Sequence, residues 1–403
     1  MISEYGTTLL RTRRRALLSR ALQRDSVIRR LDWLLLLVVT ALCAAGVVLV
    51  WSATRTQLLE AGADPQHYLK RQSFNVLLGL VFAVAAASFH YHLLRAYVPL
   101  LYGACCLALV LVLTPLGVTI NGASSWLALP GGFQIQPSEL AKVAVVLVLA
   151  MVLGEKRERE DNPRDRDVVQ ALVLAMVPMG LILMQPDLGT SLVFGITVLG
   201  MIAVSGAPRR WLFGLVGGVL LVAAGLVYFR ILEPYQLARF TAFTNPAAAP
   251  ESVTYSAEQA RIAIGSGGLF GKGLFEGSLT NGQFVPEQTS DFIFTVVGEE
   301  FGFVGSAAVV VLIGLLLWRG LRIASQAEDA FGMLIASGVV CWFGFQTFQN
   351  IGMTIGLMPI TGLPLPFVSY GGSAMFANLV AVGLLTNVHL TSTRRSELGR
   401  VRG

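Results

Sequence analysis

Long, uninterrupted apolar runs are the feature of this sequence that most restricts its fold. Ten of them are present, at residues 33–53, 73–89, 97–116, 138–154, 169–185, 188–206, 211–229, 291–317, 331–354 and 374–390. About 20 consecutive apolar residues are enough to cross the hydrocarbon core of a bilayer as a helix. Only 13% of the residues are charged, about half the roughly 25% of a soluble domain. The sequence therefore predicts an all-α polytopic membrane protein with ten transmembrane helices.

The positions of the basic residues predict how these helices are oriented. Of the 30 lysines and arginines, 22 lie in the two termini and in the connections on the same side as the amino terminus. Basic residues concentrate on the cytoplasmic side of membrane proteins, so both termini are predicted to be cytoplasmic. This gives a basic tail over 1–32, a ten-helix domain over 33–390 and a second tail over 391–403. The net charge of +6 then reflects topology and attraction to anionic membrane lipids, not nucleic-acid binding.

Three stretches on the predicted outer side are long and polar. They are residues 117–137, the large extracytoplasmic loop 231–290 between helices 7 and 8, and residues 359–373. Loops of this length usually have a function, so chemistry is expected on this side. The large loop contains a glycine cluster around Lys272. This cluster is either a hinge or helix end, or a cradle of backbone N–H groups for a lipid diphosphate.

Ionisable side chains at the edges of the spans are candidates for function, because charge is costly in a bilayer. Glu139 and Lys142 stand three residues apart at the start of the fourth span, a spacing that puts them on one helix face. They form either a structural ion pair or a site in which Lys142 faces an anionic substrate group. Asp187, between spans five and six, either caps a helix or contacts substrate.

Asp291 stands where the large loop meets the apolar eighth span, four residues after Glu287. A carboxylate that is partly removed from water at such a junction suits a general base, and the alternative is an ordinary helix N-cap. Glu299 and Glu300 follow on the same predicted helix. At 100° per residue they lie about 80° and about 180° around the helix from Asp291, so at most one of them can easily share its cavity.

These clusters belong to a set of motifs that resembles one protein family. The motifs are Asn121-Gly122-Ala123 with Trp126, QPSELAK at 136–142, QPDLGT at 185–190, AIGSGGLFGKG at 263–273, PEQTSDFIFTVVGEEFG at 286–302 and NIGMTIGLMPITGLPLPFVSYGGS at 350–373. In this order they resemble the RodA/FtsW/SpoVE (SEDS) proteins over nearly the whole chain. The Pro-Glu-Gln at 286–288 is more similar to the RodA branch than to the Pro-Glu-Ala-His of many FtsW proteins. The Thr-Ser at 289–290 departs from the common His-Thr.

The resemblance implies a peptidoglycan glycosyltransferase that polymerises lipid II on the outer face of the bacterial cytoplasmic (inner) membrane. It assigns the family's essential aspartate to Asp291, its outer-loop tryptophan to Trp126, and the acid and lysine of its QPSExxK motif to Glu139 and Lys142. It also implies a partner, a class B penicillin-binding protein that cross-links the product. The role would be cell elongation, or division if the protein is FtsW-like.

The expected reaction is an inverting glycosyl transfer. Asp291 removes the proton of the acceptor's GlcNAc 4-hydroxyl, which attacks the anomeric carbon of the donor, and polyprenyl pyrophosphate leaves. The charge that develops on the pyrophosphate requires a cation, which is either one of the basic side chains Lys142, Arg239, Lys272 and Arg71 or a divalent ion (Mg²⁺ or Mn²⁺). Asp291 could instead hold that ion. The predicted substrate-binding residues are Trp126, Glu139, Lys142, Asp187, Arg239, Lys272, Glu287 and Ser369.

Two other functions are compatible with the same sequence. A lipid II flippase would distribute its charged residues through the depth of the bilayer, whereas the candidates here cluster at the outer rim, apart from Glu299 and Glu300. A non-enzymatic scaffold for cell-wall synthesis would tolerate substitutions at that rim.

Overall fold

A computed structural model describes most of the chain. The described residues are 30–89, 91–120, 123–129, 133–155, 163–228, 238, 241, 243–245 and 251–402. Residues 1–29 of the predicted basic tail lie outside this set, and so does Arg239.

Helices dominate the described residues and coincide with the predicted apolar segments. They are α1 (Trp33–Glu60), α2 (His67–Ser88), α3 (Tyr91–Val112), α4 (Pro137–Leu153), α5 (Asp165–Leu183), α6 (Leu188–Val204), α7 (Arg209–Tyr228), α8 (Glu251–Ser266), α9 (Ser278–Asn281), α10 (Ile293–Ser325), α11 (Ala330–Thr354) and α12 (Gly372–Arg402). Helices α8 and α9 lie in the predicted large loop, and α12 continues through the predicted carboxyl-terminal tail.

The helical, polytopic architecture is confirmed at a coarser level than it was predicted. Seven of the described helices, α1, α2, α3, α5, α10, α11 and α12, are long and apolar enough to cross a membrane. Helices α4 and α6 have 17 residues each, which corresponds to about 25 Å. The count of ten spans and the outer position of the large loop stay predictions.

A small antiparallel sheet corrects the expectation that the chain is purely helical. Its strands, in the order β1-β2-β3, are β1 (Gly117–Ile120), β2 (Ala123–Leu129) and β3 (Phe133–Ile135). Val118 pairs with Trp126, and Leu127 pairs with Ile135. β-Branched and aromatic residues in this stretch favour strands, and the three short strands follow one another closely in the sequence. The sheet lies on the end of the helical body where α4 begins and presents Trp126 there.

Helix α4 forms the centre of the helical body. It packs against α3, α5, α11 and α12, and nearly all of its residues are buried. A helix that contacts protein on every side is apolar all round, which explains its uniform sequence after the first turn. Glu139 and Lys142 are therefore enclosed by protein instead of facing lipid.

An ion pair between the start of α1 and the end of α10 lies at one end of the helical body. Asp32 caps the start of α1 and accepts a hydrogen bond of 2.8 Å from Nε of Arg319, near the end of α10. The start of one helix therefore meets the end of the other. Asp291, just before α10, lies at the opposite end of the body from this pair.

Helix α10 is broken at Gly302. Its φ of 64° and ψ of −158° are nearly restricted to glycine. A Cβ at this position would lie 2.4 Å from the backbone nitrogen of Gly271, and a Cβ on Gly271 would lie 2.1 Å from the carbonyl oxygen of Glu300. The segment 267–273 of the large loop, called the glycine segment below, thus packs backbone against backbone on the break.

Four backbone hydrogen bonds of 2.9 to 3.0 Å join the glycine segment to the break. Phe303 and Val304 donate to the carbonyls of Gly268 and Leu269, and Lys272 and Gly273 donate to the carbonyls of Glu299 and Glu300. The N–H groups of residues 272 and 273 are therefore occupied by helix carbonyls. This geometry matches the hinge interpretation of the glycine cluster better than the diphosphate cradle.

Replacing Gly302 with alanine is expected to destabilise the protein by about 1–3 kcal/mol, because the backbone conformation is strained for any other residue. Thermal unfolding in detergent measures the change. Gly314→Ala is the matched control, since Gly314 lies on the same helix with no atom within 4 Å of the added Cβ. That control is expected to be neutral or to stabilise by up to about 1 kcal/mol. Equal unfolding midpoints for the two variants would contradict the packing described here.

Candidate functional site

The sequence-predicted site residues converge on one large cavity. It has a volume of about 1270 Å³ and is bounded by α2, the sheet, the starts of α4 and α6, the turn before α10, and the segment from 361 into α12. Six predicted residues line it, namely Arg71, Trp126, Glu139, Asp187, Glu287 and Asp291. Lys142, Lys272 and Ser369 do not line the cavity, and Arg239 lies outside the described residues.

Asp291 is held at the cavity wall by its backbone. Its N–H donates to the carbonyl of Glu287 at 3.0 Å, and its own carbonyl accepts from Nδ2 of Asn350 at 2.7 Å. A Cβ at Gly362 would lie 3.2 Å from Oδ2 of Asp291, so the chain around residue 362 passes directly beside the carboxylate. The carboxylate is half-buried and faces the cavity from a fixed backbone.

Ser369 fixes the turn that carries Asp291 through a hydrogen bond to the backbone of that turn. The Ser369 hydroxyl donates to the carbonyl of Ser290 and accepts a bond of 2.8 Å from the Leu365 N–H. Ser369 was predicted to bind substrate, but its hydroxyl is buried and occupied by these two partners. Glu287, at the other end of the turn, is exposed and accepts a bond of 3.0 Å from the Ser290 hydroxyl.

Asp187 is a helix cap, one of the two interpretations that its sequence left open, and its contact with substrate stays a prediction. It is the N-cap of α6, and its two carboxylate oxygens accept from the N–H and the hydroxyl of Thr190 at 2.9 and 2.7 Å. It also lines the cavity. The cap holds the carboxylate in one orientation at the wall.

Glu139 and Lys142 form a buried ion pair next to the cavity. Nζ of Lys142 lies 2.8 Å from Oε1 of Glu139 and 3.1 Å from Oε1 of Gln346, and it sits 4.9 Å from the ring centroid of Trp342. Both charged side chains are 2% exposed. Glu139 therefore contacts the cavity, while Lys142 lies behind it and neutralises its charge.

Lys272 lies outside the cavity and is paired with another carboxylate. Its Nζ is 2.7 Å from Oε1 of Glu299 and 2.8 Å from the Ser278 hydroxyl. Glu300 bonds the Ser52 hydroxyl of α1 at 2.5 Å. Neither glutamate lines the cavity, so Asp291 shares its cavity with neither of them.

Arg71 is the one lysine or arginine among the described residues that line the cavity. It lies near Tyr370, where burial raises the pKa of the phenol and the positive charge of Arg71 opposes that rise. Tyr370 stays neutral near pH 7 and can donate a hydrogen bond. Among the candidate pyrophosphate ligands, the geometry thus favours Arg71.

No group of three His, Cys, Asp or Glu side chains in the described parts of the chain is arranged to hold a metal ion. The cavity instead carries separate carboxylates. Mg²⁺ is commonly held by one or two carboxylates together with substrate phosphates, and such a cavity can provide that donor set only once substrate is bound.

Sequence reasoning missed several polar lining residues, among them Asn75, Tyr68 and Tyr370. Asn75 is a buried amide on α2, and Tyr68 and Tyr370 are half-buried and contact each other edge to face at 5.1 Å between ring centroids. Asn75 was detectable in principle, because it is a polar residue inside an apolar run. The two tyrosines come from segments about 300 residues apart in the sequence, and no local pattern links them.

Comparison with known proteins gives one consistent match. A family model described as "Cell cycle protein", for FtsW, RodA and SpoVE, matches residues 32–394. The probable peptidoglycan glycosyltransferase FtsW of Geobacter metallireducens is 37% identical over 364 residues, covering 90% of this chain and 95% of that protein.

Two solved structures are similar over almost the same extent. The crystal structure of the rod shape determining protein RodA of Thermus thermophilus has a TM-score of 0.66 at 34% identity, covering 89% of this chain and 96% of that one. A chain from a peptidoglycan synthase complex, solved to describe how polymerization and crosslinking are coordinated, has a TM-score of 0.74 at 34% identity, covering 89% and 97%. Since similar proteins bear both FtsW and RodA names, the preference for the RodA branch stays a prediction.

Lys142→Met is expected to destabilise the protein by about 3–5 kcal/mol, because it leaves the buried Glu139 without its cation. The double variant Glu139→Gln/Lys142→Met should recover most of that loss. Lys70→Met is the control, since Lys70 pairs with Asp64 at 2.7 Å but its side chain is 64% exposed, and its loss should cost about 0–1 kcal/mol. Thermal unfolding of the four proteins measures these differences. If Lys142→Met and Lys70→Met unfold alike, the pair does not stabilise the body.

Proposed function

This chain belongs to the FtsW/RodA/SpoVE family, and from that premise we propose that it polymerises lipid II in the cavity described above, with Asp291 as the general base. The protein is a multi-pass membrane protein and a peptidoglycan glycosyltransferase. The observation that carries the proposal is the placement of the Asp291 carboxylate at the wall of the one cavity on which the sequence-predicted residues converge.

The fixed backbone around Asp291 supports a role in catalysis. Asn350 holds the carbonyl of Asp291 and Ser369 holds the carbonyl of Ser290. A base must be positioned within hydrogen-bond reach of the proton that it removes, and a rigid support reduces the entropy lost in reaching that geometry.

The walls of the cavity suit an amphiphilic substrate. One side is apolar, with Phe74, Leu78 and Phe82 from α2 and Phe376 from α12. Phe74 and Phe82 are 48% and 40% exposed. This apolar wall would suit the polyprenyl tail of the substrate. Trp126, on the polar side, offers an aromatic face against which a sugar ring can pack.

The charges of the cavity suit the reaction. Glu139 is neutralised by Lys142, while Arg71 can contact the pyrophosphate of the donor. Electrostatic stabilisation of a leaving group is commonly the largest catalytic contribution. A divalent cation between the pyrophosphate and a cavity carboxylate would supply the same stabilisation when bound.

The proposed reaction proceeds in one displacement. The Asp291 carboxylate takes the proton from the 4-hydroxyl of the acceptor GlcNAc as the hydroxyl oxygen bonds to the anomeric carbon of the donor. The bond from that carbon to the pyrophosphate oxygen breaks, and the polyprenyl pyrophosphate leaves with its electron pair. Attack opposite to the leaving group inverts the α-linked donor and gives a β-1,4 bond.

We further propose that the protein works in the bacterial cytoplasmic (inner) membrane with a class B penicillin-binding protein. The similarity to a chain of a peptidoglycan synthase complex supports such a partner. The Pro-Glu-Gln motif at 286–288 favours the RodA branch and hence a role in cell elongation.

Asp291→Asn is expected to reduce polymerisation of labelled lipid II by at least about 100-fold, because the amide cannot accept the proton. The assay uses purified protein with and without its partner and separates polymer by size. Asp64→Asn is the control, since Asp64 lies outside the cavity and pairs with exposed Lys70. An Asp291→Asn protein that polymerises at the wild-type rate would contradict the role of Asp291. Transport of lipid II without polymer would instead support a flippase.

Arg71→Met is expected to slow polymerisation about 10- to 1,000-fold, because the leaving pyrophosphate loses its cation. Arg71→Lys should recover part of the rate. Arg55→Met serves as the control, because Arg55 lies over the ring of Phe275 at 4.7 Å and does not line the cavity. Initial rates at several lipid II concentrations give the result. If Arg71→Met and Arg55→Met have the same rate, the pyrophosphate binds elsewhere.

A further inference from the structure

Glu299 is a fully buried carboxylate that the proposed reaction does not use. It lies on α10, two turns beyond Asp291, and its side chain is 0% exposed. We propose that Glu299 is a positioning residue, which holds the turn bearing Asp291 in place through the loop segment 272–288. This inference rests on the proposed role of Asp291 in catalysis.

The Glu299 carboxylate accepts hydrogen bonds from residues 272–280 of the large loop. Oε1 accepts from Nζ of Lys272 at 2.7 Å and from the N–H of Leu279 at 2.9 Å. Oε2 accepts from the N–H and the hydroxyl of Thr280 at 2.8 and 2.7 Å. Charge-assisted hydrogen bonds to a buried carboxylate are among the strongest in proteins. The Glu299 side chain thus attaches residues 278–280 of the loop to α10, in addition to the backbone hydrogen bonds of the glycine segment.

Helix α9 depends on this carboxylate for its cap. The helix has four residues, and its N-cap position, Gly277, has no side chain to accept from the first turn. The first N–H groups of a helix have no partner within it, and a helix this short is unstable alone. Glu299 accepts from the N–H groups of Leu279 and Thr280. It therefore supplies from α10 the cap that the sequence of α9 lacks.

A second contact links α9 to the turn that carries Asp291. Nε2 of Gln288, a buried residue, donates to the carbonyl of Thr280 at 3.0 Å and to the carbonyl of Ala53 in α1 at 3.0 Å. Gln288 lies inside the turn that the Asp291 N–H closes on Glu287. A shift of Thr280 therefore displaces Gln288 and, with it, the backbone of Asp291.

A carboxylate is required at position 299, because an amide has one acceptor oxygen instead of two. In Glu299→Gln, the amide NH₂ would face either the N–H of Leu279 or the two donors of Thr280. A buried donor without an acceptor is costly, so α9 should move or loosen. Lys272 is 29% exposed and can turn to water, which should let the variant fold.

The test is a double-mutant cycle on the full-length protein in nanodiscs. The variants are Glu299→Gln, Gln288→Met and the double variant, with Glu258→Gln as a control at an exposed glutamate of α8. Polymerisation of lipid II gives kcat and KM, and hydrogen exchange followed by mass spectrometry reports on the backbone of residues 282–292.

Glu299→Gln is expected to lower kcat about 10- to 100-fold, the effect of a small misplacement of a catalytic group, with KM changed less than about twofold. Exchange over 282–292 should become faster in that variant and in Gln288→Met. Because Glu299 and Gln288 both bond Thr280 and act in series on the same turn, the double variant should be no slower than the slower single variant. The Glu258→Gln protein should match wild type in both measurements.

Two results would overturn the inference. One is wild-type kcat together with wild-type exchange over 282–292 in Glu299→Gln, and the other is multiplicative losses in the double variant. If Glu299→Gln does not fold, Thr280→Val replaces it, since this change removes only the hydroxyl donor. Unchanged exchange in that variant would equally contradict the proposal.

Asp291→Asn in the same assay separates the positioning role of Glu299 from the proposed catalytic role of Asp291. If that variant polymerises at the wild-type rate, the proposed function fails, while the exchange data still decide whether Glu299 holds the turn.

Discussion

Compensation of charge inside an apolar helical body is the constraint on which the rest of this structure depends. Three of the buried carboxylates in the described part of the chain each pair with a cation, whereas Glu300 accepts from the Ser52 hydroxyl. Asp32 is paired with Arg319, Glu139 with Lys142 and Glu299 with Lys272. An uncompensated charge at any of these places would cost several kcal/mol. The pairs fix α1 to α10 at one end, stabilise the start of α4, and attach the large loop to α10 at the other end.

The cations of the buried pairs also differ from the charged residues that line the cavity. Lys142 and Lys272 are engaged by glutamates, so neither faces the cavity as a phosphate ligand in this structure. Arg71 is the one lysine or arginine of the described cavity wall. Asp291 is presented at that wall by a turn whose carbonyls are held by Asn350 and Ser369. The body therefore combines a rigid support with a cavity that has both an apolar and a polar side.

Much of this arrangement could be predicted from sequence, because its causes are local. The apolar runs marked the helices, and the junction at Asp291 marked the site because a carboxylate there interrupts an apolar pattern. Glu139 and Lys142 are three residues apart, so their pairing was one of two stated alternatives. The sheet was missed because its strands are short and lie within a loop. The pairing of Lys272 with Glu299 spans 27 residues, and the role of Ser369 depends on a chain segment 79 residues away, so neither could be read from spacing.

The central claim is that lipid II reacts in this cavity at Asp291. It is tested most directly by a structure of the Asp291→Asn protein with lipid II bound. The account predicts the acceptor 4-hydroxyl within about 3.2 Å of the residue 291 side chain, with a sugar ring against Trp126 and the donor pyrophosphate beside Arg71. Lipid II bound outside the cavity, or with its 4-hydroxyl directed away from residue 291, would contradict it.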